Sequence, residues 1–259
     1  MGENLALASK FRVIIIKSVC QSAPPVTQAV RFLDLQRVAD NYGSIKTRKM
    51  SNSSLPVTLN EKSLLEGISY LAGKDTYLAQ IVNDFGNPPM WDRNPGFPTL
   101  LHIILEQQVS LASAKAAFTK LETASGEITP KRFLAFSDED FREFGFSRQK
   151  TRYGRELSRA ILNGQLNIAA LGELDDQSVR RELIKVKGVG EWTANIYLLM
   201  TLLRPDIWPT GDLAIAKAVQ AVYNLSKRPT QDELKLIAEQ WKPWRAVAAR
   251  ILWHYYLSA

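Results

Sequence analysis

One carboxylate and one glycine-rich turn carry most of the chemistry available to this 259-residue chain. Asp212 follows Pro209, Thr210 and Gly211, where apolar residues resume at helical spacing (Leu213, Ile215, Ala216, Val219), so it opens a helix. The partial positive charge of a helix N-terminus favours an ionised carboxylate, and such a group can stabilise positive charge as it develops. The plain alternative is an N-cap, for which aspartate is among the preferred residues. Upstream, Lys187-Gly188-Val189-Gly190 interrupts two helical patterns, and glycine suits a sharp reversal because it takes positive φ without a Cβ clash. Such a hairpin aims backbone N–H groups at one point beside a helix N-terminus, so it can hold a phosphate without reading a base. An ordinary helix turn with glycine after the last residue would look the same in isolation.

The elements around these residues read as helices. From Glu182 to Lys217 the order is helix, glycine hairpin, helix, proline-rich loop, helix. Trp192, Ile196, Leu199, Met200 and Leu203 mark a largely buried helix, ended by Arg204-Pro205 and Pro209. Upstream, Leu64, Leu65, Ile68 and Leu71, then Tyr77, Leu78, Ile81 and Val82, fit two helices separated at Gly73-Lys74-Asp75, with Asp75 as N-cap. After a loop from Phe85 to Pro98, Leu100, Leu101, Ile104 and Leu105 bury one face of a helix that ends at Gln107-Gln108. Helices are expected over Ala112–Leu121, over Phe133–Phe144 with a capped start at Ser137, and over Tyr153–Leu162. Beyond Asp212, Thr230 and Glu233 form a capping box for a helix from Pro229 to Trp241, and a last helix runs from Pro243 to about Leu257. No convincing strand pattern follows residue 60. The expected fold is all-α.

Three motifs in order, Gly188-Val189-Gly190 with Glu191-Trp192-Thr193-Ala194-Asn195, then Trp208-Pro209-Thr210-Gly211-Asp212, then Trp241-Lys242-Pro243-Trp244-Arg245, carry a resemblance. The chain resembles the helix-hairpin-helix (HhH-GPD) DNA glycosylase superfamily, most closely its DNA-3-methyladenine glycosylase II, alkylation-repair branch. The resemblance implies two helical subdomains flanking a cleft: 59–95 plus 212–259, and 96–211 with the hairpin at 182–203. It implies Asp212 as the catalytic carboxylate and Trp192 and Trp253 as aromatic walls for a flipped base, although well-buried tryptophans also serve as core packing. It assigns DNA contacts to Lys187, Gly188, Val189, Gly190 and Thr193, and to Gln107 and Gln108, with Gln108 as the wedge that fills the gap left by the extruded nucleotide. Bifunctional members carry lysine where this chain has Trp192, so monofunctional release of an alkylated purine (3-methyladenine or 7-methylguanine type) is expected. The alternatives are a glycosylase for deaminated bases or a non-catalytic binder of DNA structure. Ile196 stands where the closest relatives can carry an aromatic residue, so the base range is open. The hairpin carbonyls of the family can hold a monovalent cation; no other cofactor is implied.

Composition sets outer limits. A single cysteine, Cys20, and two histidines, His102 and His254, leave no four-cysteine iron–sulfur loop and no side-chain metal constellation. The net charge is +7, but residues 1–60 hold 8 Lys/Arg against 3 Asp/Glu, leaving 25 against 23 for the rest. Electrostatic attraction to DNA must therefore be local. The candidate stretches are Arg148, Lys150, Arg152, Arg155 and Arg159, and Arg180, Arg181, Lys185 and Lys187; each also reads as a solvated helix face. Residues 1–58 read as an extension and linker, with Met50 as a candidate true start. Val13–Ile16 is too short for a secretory signal or membrane span. A monomer acting on damaged duplex DNA in the cytoplasm or nucleoid, or the nucleus of a eukaryote, is the corresponding expectation.

Overall fold

In a computed structural model, which describes residues 57–259, the chain forms twelve α-helices, one 3-10 turn at Ala169–Glu173 and no strand among the described residues. The expectations about a linker and a start at Met50 lie outside the described residues, apart from 57 and 58. The helices are α1 Glu61–Lys74, α2 Thr76–Phe85, α3 Phe97–Glu106, α4 Leu111–Ser125, α5 Pro130–Ala135 and α6 Asp138–Phe144. They continue as α7 Arg148–Leu162, α8 Asp176–Ile184, α9 Glu191–Met200, α10 Leu213–Val222, α11 Gln231–Glu239 and α12 Arg245–Ser258.

Local chemistry explains most boundaries. Asp75 caps α2 by accepting from the N–H groups of Tyr77 and Leu78, and Thr230 with Glu233 forms the capping box of α11. Ser147 accepts from Lys150 N at 3.2 Å, so α7 begins at Arg148, five residues before the expected Tyr153. The expected helix over 133–144 is two helices, because Ser137 starts α6 with its own capping box. Helix α9 ends at Met200, and Leu203 lies beyond it at φ 52°.

Two sets of helices surround the hairpin. α12 packs on α1, α2 and α10, whereas α3 packs on α4 and α7, with α5 and α6 closing that side. α9 packs on both α8, its hairpin partner, and α3. Its residues Thr193 to Leu199 are all buried, which places a rigid rod behind the glycine turn. Leu65 and Tyr77, which fit the apolar periods, are exposed, while Leu64, Ile68, Leu71, Leu78 and Ile81 are buried.

No helix among the described residues is long and apolar enough to cross a membrane. None of their His, Cys, Asp and Glu side chains group in a way that could hold a metal ion.

Candidate active site

Asp212 is the N-cap of α10, and its carboxylate is almost wholly enclosed. Oδ1 accepts from the backbone N–H of Ile215 at 2.9 Å and from the indole N–H of Trp253 at 3.2 Å; Oδ2 accepts from the indole N–H of Trp192 at 3.0 Å. Asp212 is therefore the N-cap, and its second carboxylate oxygen is turned away from the helix toward Trp192. An ionised carboxylate offers about four lone-pair positions. Three are taken by uncharged donors, which leaves one on Oδ2.

The loop behind Asp212 is fixed from several directions. Gly211, at φ 91°, donates its N–H to Gln231 Oε1 at 2.7 Å. Arg245 grips both carboxylate oxygens of Asp206 at 2.8 and 3.0 Å. Trp208 packs at 5.4 Å on Trp241, whose indole donates to the buried Asp75 at 2.9 Å, and Tyr223 donates its hydroxyl to the same oxygen. Burial beside that carboxylate pushes the Tyr223 phenol far up, so it stays a donor. Trp241 and Arg245 thus belong to the Asp212 loop although they lie some thirty residues downstream.

The two tryptophans differ. Trp192 is half-buried, so its ring remains available to a ligand. Trp253 is 7% exposed and meets the edge of Trp91 at 6.5 Å, so it acts on the site chiefly through its N–H. Ile196, one turn after Trp192, is buried. Trp91 was not visible as a site residue in the sequence: it sits in the Gly/Pro-rich loop before α3, at φ 50°. An aromatic residue inside a segment otherwise made of turn formers was the signal available.

In the hairpin, Lys187 and Gly190 are exposed, whereas the side chains of Val189 and Thr193 are buried. The latter two can offer a phosphate only backbone N–H. Gly190 caps α9 without a side-chain bond, leaving the first-turn N–H groups without an intrahelical acceptor.

Gln107 and Gln108 part company. The Gln107 amide donates to the carbonyl of Gly188 at 2.9 Å and to Thr193 Oγ1 at 2.8 Å. It ties the end of α3 to the hairpin. Gln108 is exposed at the tip between α3 and α4, at φ 58°. Arg93 supports the same corner by pairing with Glu106 through bonds of 3.0 and 2.8 Å.

The geometry is a helix start without a side-chain cap at Gly190, an exposed Gln108 after α3, and an enclosed carboxylate bonded by two indoles. The profile of the "HhH-GPD superfamily base excision DNA repair protein" family matches residues 101–244. A DNA-3-methyladenine glycosylase of Bacillus subtilis is 28% identical over 61% of this chain and 56% of its own length. Another B. subtilis relative is matched over 65% of its length, so the chain spans less than two thirds of these two relatives. Among solved structures, a Schizosaccharomyces pombe 3-methyladenine DNA glycosylase in complex with abasic DNA has a TM-score of 0.68 at 26% identity, covering 73% of this chain and 95% of that chain. A DNA-3-methyladenine glycosidase from Bacillus halodurans has a TM-score of 0.61 at 26% identity, over 76% and 90%.

Proposed function

The chain belongs to the HhH-GPD superfamily of base excision DNA repair proteins, and from that premise we propose that it is a monofunctional DNA glycosylase that releases alkylated purines. The observation that carries the proposal is the carboxylate of Asp212 held by two indole N–H groups and the start of α10.

A glycosylase must reach C1′ of a nucleotide inside the stack, so the nucleotide is extruded from the duplex. The first-turn N–H groups after Gly190 hold the strand by a phosphate, and Gln108 enters the space the nucleotide leaves. The bond between C1′ and the base nitrogen then breaks, its electron pair leaving with the base. An alkylated purine that is already cationic departs neutral and needs little acid catalysis. Positive charge grows on the sugar, and Asp212 stabilises it electrostatically. Water adds to C1′ and gives up its proton, producing an abasic sugar. Trp192 stands where a lysine would be needed to form a covalent imine with that sugar, so the reaction stops there. The face of an indole also favours a cationic base by roughly 0.5–2 kcal/mol.

The carbonyls of Val186 and Gly188 each accept one bond and keep a lone pair, so the turn fits a monovalent cation that would steady it. No chemical step depends on that cation. Damaged duplex DNA is the proposed partner, bound by a monomer in the compartment that holds the chromosome.

The test is incubation of the protein with methylated duplex DNA, measuring free 3-methyladenine and 7-methylguanine, alongside Asp212→Asn. Release by the wild type, lowered on the order of 10³-fold in the variant, is expected. Release of hypoxanthine or uracil instead would move the substrate to deaminated bases. Tight DNA binding with no release of any base would replace the enzyme with a binder of DNA structure.

A further inference from the structure

Four arginines at positions 148, 152, 155 and 159 share one face of α7, since residues three and four apart align on a helix. Two are engaged internally. Arg155 pairs with Asp138 at 2.6 Å and lies over the Phe141 ring at 5.3 Å, and Arg159 pairs with Glu156 at 3.0 Å. Lys150, in the same segment, turns inward and donates to the carbonyl of Leu105; burial holds its ammonium below the usual lysine range. Arg148 and Arg152 differ. Both are exposed, and neither forms an ion pair among the described residues. Arg152 lies 5.7 Å from the centre of the Tyr153 ring. Together with Arg142, the two paired arginines and the carboxylates of Asp138 and Glu139, they line a groove of about 490 Å³ between α6 and α7.

This groove adjoins the hairpin through a single aromatic ring. Gly188 has no room for a side chain because Tyr153 lies against it: a Cβ would stand 2.2 Å from the ring's Cγ. The Tyr153 hydroxyl accepts from Gln149 at 2.8 Å, which fixes the ring between the glycine turn and the guanidinium of Arg152. Arg152 is therefore one ring away from the glycine turn, and Arg148 stands one helical turn further along the same face of α7. Guanidinium is the side chain best matched to phosphate, through paired N–H donors.

We propose that Arg148 and Arg152 extend the hairpin's grip to neighbouring phosphates of the same DNA strand, as a second, sequence-independent backbone contact. The inference rests on the reading of the hairpin as a DNA clamp. The α7 face supplies locally the positive charge that a nearly neutral body lacks.

Each phosphate neutralised by a protein cation contributes roughly 0.9 to the slope of log affinity against log salt. Dissociation constants for a fluorescent duplex carrying an abasic-site analogue are measured over a sodium chloride series. The proteins compared are the full chain, Arg148→Ala/Arg152→Ala, Arg148→Lys/Arg152→Lys, and Arg159→Ala as a paired-arginine control. The double alanine variant should bind more weakly and show a slope shallower by about 2. The double lysine variant should recover the slope, and Arg159→Ala should match the wild type. A double alanine slope equal to a steep wild-type slope overturns the proposal while leaving the clamp intact. A wild type that binds no duplex overturns the clamp reading, and this inference with it.

Discussion

At the scale of single residues, the geometry around Asp212 makes its two obvious replacements informative in different ways. Asp212→Asn keeps the size and can still accept from Ile215 and Trp253 through its one oxygen. Its NH2 group must then face the indole N–H of Trp192, a donor against a donor where the wild type has a 3.0 Å bond. We expect base release to fall on the order of 10³-fold, from lost electrostatic stabilisation. Stability should also drop by about 1–3 kcal/mol, the cost of a buried donor left unpaired. Release assays and thermal melting check the two effects separately; an unchanged melting temperature would show that the indole does not hold the carboxylate. Trp192→Phe retains a flat ring and removes only the N–H. The carboxylate loses one of its three donors, and release should slow by about tenfold to a hundredfold, the equivalent of about 1.5–3 kcal/mol for a hydrogen bond to a charged group. Full activity in this variant would assign Trp192 to stacking alone. The sequence exposed Asp212 because a helix start has a local signature. It could not show that two indoles 20 and 41 residues away point N–H groups at the carboxylate, since no local pattern encodes a side chain's orientation across that distance.

At the scale of the hairpin and its neighbours, the two glycines serve opposite purposes although the sequence shows them as one motif. Gly188 is demanded by the fold: it takes φ 96°, and a Cβ would strike the Tyr153 ring. Gly190 has ordinary extended backbone, φ −97° and ψ −178°, and a Cβ there would meet nothing within 4 Å. Its lack of a side chain leaves open the space in front of the α9 N–H groups. Gly188→Ala should therefore destabilise the protein by about 2–3 kcal/mol or more, from left-handed strain and overpacking. Gly190→Ala should melt like the wild type and bind duplex DNA more weakly. Denaturant titration and DNA affinity distinguish them, and a Gly190→Ala variant with wild-type affinity would remove the turn from the DNA surface. The helices were legible because caps and apolar spacing are local, as Ser137, Thr230 and Asp75 show. The start of α7 falls earlier than the apolar spacing indicated because Ser147 caps it through Lys150 N. The glutamine pair was legible as a helix end, but its division of labour was not. Gln107 bonds to Gly188 and Thr193, which lie 81 and 86 residues away, so its role exists only once α3 meets the hairpin.

At the scale of the whole folded body, one buried cation joins the segments that carry the site. Arg250 is completely enclosed in α12 and donates from Nε to Met90 O at 2.8 Å, from Nη1 to Ala246 O at 3.0 Å and from Nη2 to Leu199 O at 2.8 Å. Met90 precedes Trp91, Leu199 lies on the helix that bears Trp192, and α12 itself bears Trp253. The guanidinium thus connects the two helices whose indoles bond Asp212 with the stretch whose Trp91 packs on Trp253. Burial pulls its pKa down to about 10, with Asp92 opposing the shift, so it remains charged near neutrality. A planar fork of donors suits three carbonyls in three directions; an ammonium on a flexible stem does not. Arg250→Met would fill much of the space and avoid burying a charge, which offsets part of the loss. It would still leave the Met90 and Leu199 carbonyls without this donor, a net destabilisation of about 2–4 kcal/mol. For a body of this size that corresponds to a melting temperature lower by roughly 4–16 °C. Arg250→Lys should be no better, because it keeps the buried charge and loses the fork. If the arginine couples the three segments, tryptophan fluorescence should change before far-UV circular dichroism during heating of Arg250→Met, whereas the two probes coincide in the wild type. Coincident transitions at an unchanged melting temperature would mean that the apolar packing of α12 against α1, α2 and α10 holds the site together without the arginine.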